Sequence, residues 1–307
     1  MSSSSSRKVI YAALAGNLLI AVTKFIASFI TGSSAMLSEG IHSVVDTGNQ
    51  ILLLFGMRQA RKPPSEQFPF GHGKEVYFWG FVVALMIFAV GAGVSMYEGV
   101  IHILHPQPVE SFGTNYIVLG LAALFEGGAW FFALKEFRHA KGSWGYIEAI
   151  RKGKDPSVFM VLFEDSAALL GLLVAFVGLL VNQYTGFHYA DGIASTIIGI
   201  ILGLTAVWLA FETKSLLIGE SANKQIIEGI RAMTGDFEGI ISVNEVLTMH
   251  MGPDYILVNL SVDFADNISS QEVEKTIASL DHHIKQDYPR IKRVFIEAEG
   301  RMPAKLN

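Results

Sequence analysis

Six stretches of this chain, approximately residues 9–30, 36–57, 76–101, 114–136, 157–182 and 190–211, are apolar over the length a helix needs to cross a bilayer. A hydrocarbon core about 30 Å thick takes roughly 20 helical residues to span. It admits only helices or closed barrels, because no water is present to satisfy an exposed backbone. Composition agrees: 51% of the 307 residues are hydrophobic and 17% are charged, where soluble domains carry about 25% charged residues. The first apolar run exceeds the roughly 7–15 residues of a signal-peptide core and is followed by further runs, so it reads as a spanning helix behind a polar tail, residues 1–8. The expected fold is an α-helical membrane protein with six transmembrane helices over residues 9–215.

Basic residues orient the helices, since Lys and Arg favour the cytoplasmic side. Arg7 and Lys8 precede the first helix. Arg58, Arg61, Lys62 and Lys74 lie between the second and third, and Lys135, Arg138, Lys141, Arg151, Lys152 and Lys154 between the fourth and fifth. The remaining connections, "TGSS", "HILHPQPVESFG" and "NQYTGFHYAD", contain neither. Both termini are therefore expected in the cytoplasm, and the membrane would be the inner or plasma membrane in a bacterium. The net charge of -5 is mild and says nothing about nucleic acid, but no long basic run or aromatic RNA-binding motif is present, and nucleic acid is not expected as a partner. Without cysteine there is neither a disulfide scaffold nor a thiolate metal site.

From about residue 216 the pattern changes. "YILVNLSVDF" sets Ile256, Val258, Leu260, Val262 and Phe264 on one face, and "VNEVLTMH" precedes it across a Gly-Pro-Asp turn. Ser269 stands three residues before Glu272, a capping-box signature ahead of the helical spacing Val273, Ile277, Leu280, Ile284. With a helix over 221–234 and "RVFIEAE" as a third strand, residues 216–307 form a small α+β domain in the order α-β-β-α-β.

The membrane helices carry groups that lipid does not tolerate. In "SEGIHSVVDTGNQ", Glu39, His42, Asp46 and Asn49 recur every three or four residues and share one face. "VLFEDSAALLG" in the fifth helix holds Glu164 and Asp165. At 1.5 Å per residue, Asp46 and Asp165 both fall roughly 12–15 Å from the start of their helices, near the middle of the bilayer. An ionisable group there costs about 2.5–3.5 kcal/mol on insertion scales unless it is paired, hydrated or liganded. His42, Asp46, Asp165 and Glu164 can therefore converge on a borderline divalent ion such as zinc, or hold protons. Interhelical hydrogen bonding is the plainer alternative for a lone His or Asn. Glu39, closer to the outer surface, would line an entrance. Asn17 and Asn49 are packing donors or supports for ligands, and Glu126 is a proton carrier or a structural partner. Lys24 and Glu98 both lie toward the outer side and would pair or reach the interface.

These residues, with "FPFGHGK" before the third helix, resemble the cation diffusion facilitators over nearly the whole chain. The His42-x-x-x-Asp46 pair is similar to that of zinc-transporting members, and "LFEDSAALLG" to the branch containing the mitochondrial zinc transporter of animals. The resemblance implies a homodimeric metal/proton antiporter, not an enzyme, with no organic cofactor and a ferredoxin-like, metallochaperone-like cytoplasmic domain. It places His42, Asp46 and Asp165 in the transport site. Val161 stands where many members have a fourth ligand, so Glu164 or water would replace it. His72 matches a loop-site ligand, but Phe68 occupies its partner's position. Glu297 and Glu299 match ligands of the tail, whose histidine partners are missing around Asn244 and Leu260; His250, His282 and His283 are the remaining candidates. Lys74 matches a lysine that ties the bundle to its neighbours, with Glu220 as the suggested partner.

Carboxylates and imidazole bind metal only when deprotonated, so metal and protons compete for them. The expected function is export of a divalent cation, zinc first, with manganese, iron, cobalt and nickel as alternatives. A monovalent cation/proton antiporter could use the same carboxylates. A membrane-anchored sensor or enzyme is disfavoured by the tail's lack of a phosphate loop or nucleophile constellation.

Overall fold

Helices form over every apolar run, and each continues beyond it. The computed structural model describes residues 3–106, 111–141, 145 and 156–300. Arg151, Lys152 and Lys154, used above for orientation, lie outside the described residues, as do the side chains of Arg7 and Lys8. The chain divides into two compact units, Met1–Arg58 with Val76–Lys214, and Gln59–Glu75 with Ser215–Asn307.

The first unit is built from α1 (Ser3–Thr31), α2 (Ser34–Ala60), α3 (Glu75–Leu104), α4 (Phe112–Lys141), α5 (Pro156–Thr185) and α6 (Tyr189–Ile218). Among the described residues, four stretches, Glu75–Leu104, Phe112–Arg138, Phe159–Thr185 and Tyr189–Ile218, are long and apolar enough to cross a membrane. In α1 the described apolar stretch, Asn17–Thr31, is shorter. In α2 the length is sufficient, but the polar stripe through Glu39, His42, Asp46 and Asn49 dilutes its apolar character. The outward faces are oily: Phe29 is 92% exposed and Leu124 75%. Such surface on a protein of this kind is what lipid covers.

Small residues let the helices approach closely. In α6, a Cβ on Gly199 would come within 2.9 Å of the Met96 backbone nitrogen, and one on Gly192 within 2.8 Å of Ile103 nitrogen, so α3 and α6 meet backbone to backbone. This is the small-residue packing of membrane interiors, where close van der Waals contact replaces the hydrophobic effect. The middle of α3, Ile87–Ala92, winds as a π-turn, an interruption often found near functional sites.

The second unit contains α7 (Lys224–Gly235), β1 (Ile240–Gly252), β2 (Tyr255–Phe264), α8 (Ser270–Asp287) and β3 (Ile291–Ala298). The sheet runs β1-β2-β3; β1 and β2 form an antiparallel hairpin, and β2 pairs with β3 in parallel across α8. Alternation in β2 places Ile256, Val258, Leu260 and Val262 against Ile230, Leu280, Ile284 and Ile291 in one core. Ser269 caps α8 as its spacing predicts: its hydroxyl accepts from Glu272 nitrogen, and its own backbone nitrogen donates to the Glu272 carboxylate at 2.7 Å.

The connection between α2 and α3 belongs to this second unit. Gly73 lies so close to the Met251 carbonyl that a side chain there would collide with it. Phe70 meets the Phe295 ring edge-on at 6.4 Å. The Lys74 ammonium donates to the Leu217 carbonyl at 3.4 Å, near the end of α6, and lies 3.7 Å from Met249 sulfur.

Two outcomes test this packing. Gly199→Val should destabilise the protein by about 1–3 kcal/mol, as overpacked cores are, and lower its melting temperature in detergent. Gly120→Val, with nothing within 4 Å of its added Cβ, should not. Hydrogen bonds from the Ser269 backbone and then its hydroxyl hold the Glu272 carboxyl below the usual glutamate range. The cap's electrostatic contribution is therefore present at neutral pH and is lost as pH falls through that lowered value. A carboxyl NMR titration should show Glu272 moving upward in Ser269→Ala.

Candidate functional site

Helical spacing gives α2 one continuous polar edge: Ser34, Ser38, Glu39, His42, Ser43, Asp46 and Asn49 are all buried. Three environments divide it along its length.

At the start of α2, the free backbone nitrogens are met by a carboxylate from another helix. Asp191, in the first turn of α6, accepts from Ser34 nitrogen and Ser34 Oγ at 2.6 Å each, from Ser33 Oγ at 2.5 Å and from Ala35 nitrogen at 3.4 Å. A negative charge at a helix N-terminus satisfies orphan donors and the helix dipole together. His102 of α3 lies 3.6 Å from the same carboxylate, so three helices meet there. One turn further on, Ser38 and Ser195 share a hydrogen bond, and Ser195 Oγ donates to the Ser95 carbonyl at 2.9 Å.

In the middle of the edge, Lys24 of α1 reaches across. It is fully buried and donates to Ser43 Oγ at 2.8 Å, Glu39 Oε2 at 3.1 Å and Glu126 Oε1 at 3.4 Å. This corrects two expectations. Lys24 pairs with Glu39 and Glu126 rather than Glu98, because α4 rather than α3 presents the carboxylate that its ammonium reaches. Glu39 does not line an open entrance; it is sealed at 0% exposure in an ion pair.

The third environment contains the predicted ligands. The His42 ring lies 3.4 Å from the Asp46 carboxylate, one turn along α2. From α5, Glu164 comes within hydrogen-bonding reach of Asp46 and accepts from Asn49 Nδ2 at 2.5 Å. Asp165 is adjacent and buried. Both ring nitrogens of His42, Asp46 Oδ1 and Asp165 Oδ2 are buried without a hydrogen-bond partner among the described residues. Buried polar atoms are nearly always satisfied, and Glu39 Oε1 on the same helix is another such exception. Among the described residues, however, no three His, Asp or Glu side chains stand close enough together to hold a metal ion as they are. Val161 is half-buried on the turn of α5 before Asp165 and offers no ligand atom.

The remaining candidates are elsewhere. Asn17 is half-buried in α1. His72 stacks on Phe68 with ring centres 4.5 Å apart. In the sheet, Ser261 Oγ donates to Glu299 Oε2 at 2.8 Å, and Asn244 Nδ2 donates to Ser261 Oγ at 3.2 Å and the Glu299 carbonyl at 2.9 Å. Hydrogen bonds thus occupy the place where imidazole ligands were missing. Glu297 is exposed opposite Ser261, and His250 is buried in β1 with its backbone nitrogen bonded to the Glu220 carbonyl. His283 is bound to the Ser279 carbonyl, with His282 beside it on the exposed side of α8.

Asp191, Ser43 and the serine pair Ser38–Ser195 were not singled out in the sequence. An acidic residue in a helix's first turn ordinarily supports its own helix. Nothing in "YADGIAS" distinguishes an Asp that serves a neighbour.

Comparison with known proteins bears on the bundle directly. The sequence model described as the cation efflux transmembrane domain matches residues 10–218. A mitochondrial proton-coupled zinc antiporter of Xenopus laevis is 32% identical over 259 residues, covering 84% of this chain and 46% of its own. Metal tolerance protein C4 of Arabidopsis thaliana is 28% identical, covering 84% and 57%. A manganese efflux system protein of Bacillus subtilis is 22% identical, covering 95% of each. The chain thus spans about half the length of the zinc-antiporter relative.

The Asp191 arrangement makes its own prediction. Asp191→Ala removes a charged acceptor from three donor residues and should destabilise the protein by about 2–4 kcal/mol, since each hydrogen bond to a charged group contributes about 1.5–3. Asp191→Asn should lose less. Thermal melts of the detergent-purified variants measure both.

Proposed function

The chain belongs to the cation efflux family, a family of multi-pass membrane transporters rather than enzymes, and on that premise we propose that it exchanges a divalent metal ion, most readily Zn2+, for protons. The supporting observation is the set of buried, unpartnered atoms on His42, Asp46 and Asp165. These three are the transport ligands, with Glu164 or a water completing the shell in place of Val161. Closing the present gap between α2 and α5 around the ion forms the site, and opening it releases the ion. Asn49 steadies Glu164 by its hydrogen bond and acts as a supporting group rather than a ligand.

The proton side follows from charge. Imidazole and carboxylates bind a metal ion only when deprotonated, so loading the ion displaces protons and protons displace the ion. One imidazole with oxygen ligands suits zinc better than manganese. The names borne by the relatives include both zinc and manganese.

The six long helices of the first unit are the six spans, with the basic connections and both termini on the cytoplasmic side. Metal loads from that side and leaves on the other, driven by an inward proton gradient. The three-stranded second unit is the ferredoxin-like cytoplasmic domain, and it holds two copies of the chain together more than it binds metal. The Asn244–Ser261–Glu299 hydrogen bonds support that division of labour.

In proteoliposomes with an imposed pH gradient, Asp46→Ala and Asp165→Ala should each abolish Zn2+-driven proton movement while leaving the fold intact. Undiminished transport in both refutes the ligand assignment. Sodium-driven proton movement unaffected by chelator would favour monovalent exchange instead. Asn49→Ala should weaken Zn2+ binding about 10–100-fold, as loss of a ligand's supporting hydrogen bond does, measured by metal titration of the purified protein.

A further inference from the structure

Glu39, Asp46, Glu126, Glu164 and Asp165 bring five carboxyls into the buried interior of α2, α4 and α5, and among the described residues Lys24 is the one buried cationic side chain there. Its surroundings resemble those of a bound ion. An ammonium has three N–H donors and no acceptor. Lys24 places them on three oxygens from two other helices: Glu39 Oε2, Ser43 Oγ and Glu126 Oε1, at 3.1, 2.8 and 3.4 Å. A fourth oxygen, Glu39 Oε1, is buried without a hydrogen-bond partner among the described residues. It lies against Gly171 of α5, where any side chain would collide with it. Two carboxylates and a hydroxyl converging in a dry interior are the hard oxygen donors that bind divalent cations.

We propose that Lys24 is a covalently tethered cation filling what would otherwise be a second metal position beside the transport site, and that it thereby limits each chain to one bound divalent ion. The inference rests on the reading of His42, Asp46 and Asp165 as the site of the transported ion. Lys24 donates no lone pair to metal and so is not a ligand. It withdraws Glu39 and Glu126 from the pool of available carboxylates, leaving the incoming ion only the orphaned set one turn further along α2.

The test is the number of Zn2+ ions bound per chain at equilibrium, by dialysis of metal-depleted, detergent-purified protein. Wild type and Lys24→Arg should each bind one ion. Lys24→Met should bind two, and the double variant Lys24→Met/Glu39→Gln should return to one. A single ion in folded Lys24→Met overturns the proposal. A wild type that binds none overturns the site assignment on which it rests, and the two failures are thereby distinguished. Lys24→Met strands two carboxylates and can fail to fold, so Glu39→Gln provides an independent reading. It keeps an amide oxygen for the ammonium, and its affinity for the single Zn2+ should stay within about threefold of wild type. A loss of about tenfold or more would make Glu39 a ligand of the transported ion and overturn the proposal.

Discussion

A charge buried in a lipid-facing bundle has to find its countercharge within the protein, because no solvent is there to supply one. The whole polar edge of α2 is organised by that requirement. At its first turn the helix dipole meets the Asp191 carboxylate. At its second, Glu39 meets the Lys24 ammonium. At its third and fourth, His42 and Asp46 lie side by side and carry buried atoms that no hydrogen bond among the described residues completes. The same helix thus carries both answered and unanswered polar atoms, Glu39 Oε1 among the latter. The surrounding helices serve this arrangement: α1 and α4 supply the neutralising pair, α6 the cap, and α5 the opposing acids.

Much of this was legible from the residues. Apolar length located the helices, and alternation in β2 and the Ser269–Glu272 spacing located the hairpin and α8, because those signals are local. The ligand candidates were visible for a different reason: an acid or an imidazole in an oily helix is an anomaly at any position. What was not legible was who answers whom. Lys24 and Glu98 were expected to pair or to reach the interface on depth alone, and depth says nothing about which helix lies alongside α1. Glu39 was read as facing an opening for the same reason. Asp191 was invisible because its partners are backbone nitrogens of another helix, and no pattern in "YADGIAS" records them. Pairing between helices is a property of packing, and one sequence contains no direct trace of it.

The departures from the family pattern also acquire a physical context. Val161 offers no ligand atom on α5, while Glu164, one turn away, accepts from Asn49 of α2. In the second unit, Asn244, Ser261 and Glu299 bind one another. That strand end is therefore ordered by hydrogen bonds of its own.

The seat of Gly73 on the Met251 carbonyl has a practical meaning for anyone who cuts this protein apart. Residues 59–75 precede four of the long helices in the chain, yet they fold as a wall of the compact body that contains residues 215–300. Trimming the chain after α6 would strip that wall of its backing, leaving Phe70 without the Phe295 ring and Lys74 without Met249. A shortened version would be altered at the entrance to α3 as well as at its new end, and its behaviour would report on both injuries at once.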